Sequence, residues 1–335
     1  MPFGQETAED RIRIQVRKDL KIGNEGRMNS KKVNWFYLTT VLIHLAMVAG
    51  LLAWTIYVGP PRISIVANLI MAQGMILVPA LLFALFSKEK GKDVFGFHKI
   101  KISSVLMIIL FTYLMMPATT VINAISMLFV DNTVAQMSGA VLQMPWYIMV
   151  LLTGVGGPVS EELIFRGLVF NGYKKSGNTF RAVFWSALLF GLMHMNFNQA
   201  AYAVFLGIVM AVLVEATGSL WGSVIFHMTV NIQNVLLMFV SGSFASEDYL
   251  QEAQELMDSK ETLLVTIGIY GVVAMVTTAI AVCVLAWVAK NEKRDMQLKQ
   301  IWQGRKENRG RMVSVPLIVG IVLSVAYMVF EVIMI

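Results

Sequence analysis

Seven side chains draw attention because of the company they keep. Glu161, Glu162 and Arg166 interrupt the apolar run PVSEELIFRGLVF, His194 follows Phe190 by four residues in FWSALLFGLMHMNF, and His227 precedes Asn231 by four in WGSVIFHMTVNIQN. A charge inside such a run is costly unless it is paired or faces a polar cavity. Residues four apart share one face of a helix. Glu162 and Arg166 are therefore natural partners, Phe190 stacks over His194, and His227 shares a face with Asn231. Glu161 is rotated away from the Glu162–Arg166 face and is left to meet something else. Two of the chain's four histidines lie in these runs. The others, His44 in an apolar span and His98 in a loop, have no polar neighbour at helical spacing, and His44 reads as a helix–helix hydrogen bond.

Glu161, His194, His227 and Asn231 together supply both halves of an amide hydrolysis. A carboxylate with an imidazole can position and deprotonate a water. A second imidazole with an amide can donate hydrogen bonds to the developing oxyanion. No side-chain nucleophile accompanies them: the G-x-S-x-G elbow is absent, Ser160 has no partner forced by spacing, and the single cysteine, Cys283, lies in the distant run TTAIAVCVLAW. Activated water is the better nucleophile. The same residues admit a metal-dependent reading, in which Glu161, His194 and His227 hold zinc with an open position for water. Glu162 would then be the base and Asn231 the oxyanion donor. The separations of 33 residues do not resemble the compact H-E-x-x-H arrangement, so residue identity permits zinc without specifying it.

The elements that must carry these residues are membrane helices. The chain is 57% hydrophobic and 14% charged, where soluble domains carry roughly 25% charged residues. Its apolar residues fall in long runs separated by charged clusters, which excludes a soluble globular protein, a disulfide-rich secreted domain and a disordered chain. The expected fold is all-α, a polytopic membrane protein with eight or nine spans: 36–58, 64–86, 103–129, 144–170, 182–196, 199–215, 220–240, 262–289 and 313–335. GPPRI makes a tight turn between the first two. Pro117 and the GVGGP at 154–158 predict kinks or interruptions, with a helix restarting after Pro158 and capped by Ser160. The fifth and sixth spans are short enough to be full crossings or a deep hairpin.

Charge orients these spans. Segment 1–35 holds eight Lys or Arg, loop 87–102 five, and linker 290–312 eight more, while 241–261 carries six acids against Lys260 alone. The positive-inside rule places the basic segments and the N-terminus in the cytoplasm, and nine crossings alternate without exception. The leading residues are polar and do not read as a cleavable signal peptide. The organisation expected is a basic N-terminal segment, 1–35, then a transmembrane region, 36–240, with the chemical motifs at 161–166, 190–194 and 227–231. An acidic extracytoplasmic loop, 241–261, and C-terminal helices in 262–335 follow, the latter joined by the basic linker 290–312. The basic clusters lack aromatic interleaving and recur where topology needs them, so they point to lipid headgroups rather than nucleic acid.

The three motifs, Glu161-Glu162-Leu-Ile-Phe-Arg166, Phe190-Gly-Leu-Met-His194 and His227-Met-Thr-Val-Asn231, resemble those of a family of intramembrane proteases. That family includes the type II CAAX prenyl endopeptidases and bacterial bacteriocin-processing or self-immunity proteins. The resemblance covers roughly 100–240. It implies a membrane-embedded cavity opening toward the cytosol, Glu161 and His194 activating water, His227 and Asn231 holding the oxyanion, and Glu162 and Arg166 giving local support. It implies no cofactor if catalysis is glutamate-dependent, and zinc if the metalloprotease label long applied to the family holds. The substrate class implied is a hydrophobic peptide or a membrane-bound or lipidated protein, with a membrane-protein partner as a further possibility. The compact loops and lack of an organellar targeting segment point to a bacterial plasma membrane. The non-enzymatic alternative is a membrane scaffold or bacteriocin self-immunity protein.

Overall fold

The computed structural model describes residues 29–85, 95–132, 138–244, 252, 255–306 and 311–334. Residues 1–28 of the leading segment, and parts of 87–102, 241–261 and 290–312, lie outside the described residues. The protein is an all-α integral membrane protein. Its principal helices are α1 (Ser30–Tyr57), α2 (Ile65–Leu85), α3 (Ile102–Met127), α4 (Trp146–Lys175), α5 (Thr179–Leu192), α6 (Phe197–Thr217), α7 (Leu220–Phe244), α8 (Lys260–Asn291), α9 (Asp295–Gln303) and α10 (Val315–Met334). Among the described residues, eight of these are long and apolar enough to cross a membrane. Helix α5 is not, because 14 residues rise only ~21 Å against a hydrocarbon core of ~30 Å.

Helix α5 nevertheless takes the chain along the bundle. Lys174 at the end of α4 pairs with Glu215 at the end of α6, so α4 and α6 finish at the same end. Helix α6 has 21 residues, and its start lies at the other end, where Asn198 donates to Asn123 and Ser126 at the close of α3. Segment 179–196 therefore covers the distance as a short helix plus an extended turn. Of the two alternatives left open for these spans, full crossings or a deep hairpin, α6 is of full spanning length and α5 is not.

The two ends differ in charge. At one end the α3 N-terminus is capped from afar by Glu292, whose carboxylate accepts from the Lys101 amide (3.0 Å) and the Ser104 hydroxyl. Lys174 and Arg294 lie at this basic end. Asp131 and Asp258 face one another at the opposite end, where burial, followed by the Asp131 charge, pushes the Asp258 carboxyl above its ordinary range.

Three local expectations are corrected. Helix α1 begins six residues early because Asn29 caps it, accepting from the Lys32 amide at 3.1 Å. Asn34 is buried, donates to Met312 O and Ser314 Oγ at 2.8 Å each, and accepts from Tyr173. This network binds the first helix to the last and to α4. Helix α4 runs through GVGGP without a break, because wide i→i+5 turns over Val150–Gly156 and Leu163–Phe170 flank the ordinary helix Gly157–Glu162. Ser160 is consequently inside a helix and caps nothing. His44 meets α10 through its ring, edge-on to Tyr327 at 5.2 Å, and its Nε2 has no hydrogen-bond partner.

Helices α5 and α6 approach backbone to backbone at two points: a Cβ on Gly207 would lie 2.9 Å from the Ala187 Cα, and one on Gly191 2.9 Å from the Ala200 carbonyl oxygen. A Gly207→Val variant should lose about 1–3 kcal/mol, the usual cost of overpacking, seen as a lower Tm in detergent by fluorescence-detected size exclusion.

Candidate functional site

The centre of the site is a buried ion pair. Arg166 and Glu162, both fully buried, meet at 2.9 Å within α4. The remaining polar atoms of that pair recruit neighbouring helices. Arg166 donates to the Gly207 carbonyl of α6 at 3.2 Å, and its guanidinium lies over the Phe190 ring of α5, 4.4 Å from the centroid. His227 of α7 approaches Glu162 Oε1 with Nδ1 at 3.0 Å. A carboxylate only accepts, so Nδ1 carries the proton and Nε2 turns toward Glu161 Oε2, 3.9 Å away.

Glu161 stands one residue further round α4 and is 15% exposed where Glu162 is fully buried. Its Oε1 accepts from Gln73 Nε2 of α2 at 3.1 Å, and the other end of that amide accepts from Ser160 Oγ at 2.6 Å. Tyr202 of α6 is within electrostatic reach of the same carboxylate.

His194 lies just beyond the end of α5, where the last carbonyls of a helix lack intrahelical partners. Its Nδ1 takes the Phe190 carbonyl at 2.9 Å. That bond puts the proton on Nδ1 and leaves Nε2 as an acceptor. The Phe190 ring is edge-on to both imidazoles, with centroids at 5.0 Å for His194 and 5.8 Å for His227. Phe190 is the apolar wall between them.

Asn231 is positioned by a defect in α4. In the first wide turn the Gly157 amide bonds Leu152 O, five residues back. The next donor in that register would serve Thr153 O, but it belongs to Pro158, which has none. The Asn231 amide takes the vacant carbonyl at 3.0 Å. Gly154 permits the approach: a Cβ there would lie 2.9 Å from Ile232 Cγ1 of α7.

The structure thus brings Glu161, Glu162, Arg166, Phe190 and His227 into direct contact, and it fixes His194 and Asn231 through backbone carbonyls. The imidazole that approaches Glu161 is His227 and not the expected His194, which makes its polar contact with the Phe190 carbonyl. Sequence reasoning missed Gln73, Gly207 and Thr153; of these Gln73 alone left a signal, as the more central of two amides, with Asn68, in the apolar run IVANLIMAQGMILV. A cavity of about 290 Å³ enters from the basic end and reaches Arg166, past His98, Lys174, Glu215 and Arg294, but none of Glu161, His194, His227 or Asn231 lines it. Among the described residues no three His, Cys, Asp or Glu side chains come within common reach of one metal ion. Glu161, His194 and His227 are therefore not gathered as a zinc site requires.

Comparison with known proteins points the same way as the motifs. Residues 143–233, which contain all three, match the family described as type II CAAX prenyl endopeptidase Rce1-like. The chain is also 27% identical over 90 residues to "Putative membrane peptidase YdiL" of Bacillus subtilis (strain 168), covering 27% of this chain and 37% of that protein. The match spans little more than a third of that relative's length. No solved structure matches the chain. The chain is thus consistent with a CAAX-protease-like family of intramembrane hydrolases.

Removing one partner of a buried pair strands the other charge. Arg166→Met should cost about 3–5 kcal/mol, whereas Glu162→Gln combined with Arg166→Met should recover much of that loss. Thermal unfolding of the three proteins in one detergent checks the order.

Proposed function

We propose that the protein is an intramembrane endopeptidase that hydrolyses a peptide bond of a hydrophobic, membrane-bound or lipidated peptide with an activated water. The observation that carries this reading is the pair of adjacent glutamates on α4 in two different settings. Glu162 is neutralised and buried, while Glu161 is partly exposed beside His227.

In the proposed reaction Glu161 removes a proton from water, and His194 Nε2 accepts the second water hydrogen and orients the oxygen. The oxygen adds to the scissile carbonyl carbon. The oxyanion that forms accepts from the Asn231 amide and from Nε2–H of a doubly protonated His227, whose Nδ1–H stays on Glu162. Collapse of the tetrahedral intermediate breaks the C–N bond, and the proton held by Glu161 passes to the leaving amine. Glu162, Arg166 and Phe190 hold the imidazoles and do not touch substrate. The reaction needs no metal in this reading. The basic end faces the cytoplasm, following the distribution of Lys and Arg, and a bacterial plasma membrane is the setting that the Bacillus relative favours.

The test is cleavage of a quenched fluorescent peptide library, prenylated members included, by purified protein in detergent. Glu161→Gln and His194→Ala should abolish turnover while leaving membrane insertion intact, and a chelator should leave the wild-type rate unchanged. Full activity in Glu161→Gln would sink its assigned role. A well-folded wild type that cleaves nothing would favour the scaffold or self-immunity alternative.

The oxyanion role makes a separate prediction. Asn231→Ala should lower kcat about 10²–10³-fold, as loss of one oxyanion donor does elsewhere. Pro158→Ala restores an N–H that competes for Thr153 O, and it should lower kcat in the same direction but less, measured on the best library peptide.

A further inference from the structure

Helix α2 lies outside the segment that matches the Rce1-like family, residues 143–233. It is also the least buried of the spanning helices, with 11% of its most apolar window covered by protein. Of the two amides it carries, Asn68 is exposed near its start, and the centre of a helix turned so largely toward lipid has little reason to hold the other. Gln73 is nonetheless half-buried and directed at α4, where both ends of its side chain are used. The Ser160 hydroxyl donates to Gln73 Oε1 at 2.6 Å and, in the same geometry, lies 2.8 Å from the Gly157 carbonyl. The Ser160 hydroxyl can donate or accept, but the Glu161 carboxylate only accepts, and this fixes which end of the amide is nitrogen. Nε2 must then be the end that meets Glu161 Oε1, at 3.1 Å. Gly157 leaves room for this, since a Cβ there would stand 3.3 Å from Gln73 Nε2 and 3.7 Å from Glu161 Oε1.

The consequence falls on Glu161. One of its two oxygens accepts from a neutral amide donor, and the other is left facing His227 Nε2 at 3.9 Å. We infer that Gln73 is a positioning residue: its amide selects Oε2 of Glu161 as the proton-accepting oxygen and holds the carboxylate in the rotamer the reaction uses. The inference rests on the proposed hydrolytic role of Glu161. It adds a fourth helix to the site, one that carries none of the three motifs.

Two variants test it, with one readout that does not depend on turnover. Gln73→Leu keeps the volume and suits a lipid-facing helix but removes both hydrogen bonds. Its kcat should fall about 10- to 100-fold, within the range a mispositioned general base loses, with KM within about twofold of wild type because Gln73 does not touch substrate. In Gln73→Glu the introduced carboxyl, while protonated, can donate to Glu161 as the amide does, whereas two ionised carboxylates at that distance repel. Activity of Gln73→Glu should therefore approach wild type at low pH and be lost as pH rises, a profile that a merely structural role would not produce. The independent readout is labelling of Glu161 by a hydrophobic carbodiimide, followed by mass spectrometry. Gln73→Leu should label several-fold faster than wild type because its Glu161 carboxyl has lost the amide cover. Unchanged labelling in Gln73→Leu, or a Gln73→Glu pH profile of wild-type shape, would overturn the inference. Faster labelling in a protein whose wild type cleaves no peptide would uphold the positioning of Glu161 and count against the hydrolytic function instead.

Discussion

The arrangement of this bundle depends on one neutralised ion pair placed where lipid surrounds the protein. An isolated charge at that depth costs at least ~2.5–3.5 kcal/mol even on the most lenient scale, so Arg166 and Glu162 persist there as a mutually neutralised pair that draws further partners from neighbouring helices. The guanidinium meets three elements: the carboxylate on its own helix, the Gly207 carbonyl of α6 and the Phe190 ring of α5. The carboxylate brings in a fourth through His227 of α7. Four helices are thereby registered against one side chain. The close approach of α6 to α5 at Gly207 and Ala187 follows from the same demand, because the carbonyl must come within reach of a side chain that cannot leave α4.

Rotation by a single residue then separates structure from chemistry. Glu162 faces inward and is committed to Arg166 and His227. Glu161 faces a less enclosed direction and keeps an oxygen uncommitted. The same division governs the two imidazoles. Each has Nδ1 engaged, His194 by a frayed helix carbonyl and His227 by Glu162, and each therefore presents Nε2. Phe190 keeps them apart while touching both. Orientation in this site is set by second partners that are themselves buried, so that few torsions remain free at the reactive atoms.

What could be read from the sequence was what recurs within one helix. The Glu162–Arg166 pair and the Phe190–His194 stack are four-residue spacings, and the structure contains both. Apolar run length located the eight long helices and flagged the fifth as short, but it also flagged the sixth, which at 21 residues is of full spanning length. What could not be read depends on neighbours distant in the chain. Gln73 is 88 residues from Glu161, and no periodicity links them. GVGGP looked like a break because Pro lacks an N–H, yet wide turns absorb the defect and hand the vacant Thr153 carbonyl to Asn231. Ser160 looked like a cap for the same reason. His44 found an aromatic ring where a hydrogen bond was expected, since the identity of the facing helix was not legible.

Charge balance limits how the site can work. Glu161, Glu162 and Arg166 together carry one negative charge in excess, and a net charge held in an apolar surround is unfavourable. One proton shared within the Glu161–His227 pair restores neutrality. In the proposed reaction that proton starts on His227 Nε2, which makes His227 a donor to the oxyanion and leaves Glu161 ionised to act as base. As Glu161 gains a proton from water, negative charge appears on the substrate oxygen beside the imidazolium. Charge is thus displaced by a few ångströms within a cluster whose sum stays at zero throughout. A site of this kind can perform hydrolysis inside a membrane because no step creates a charge that lipid would have to solvate.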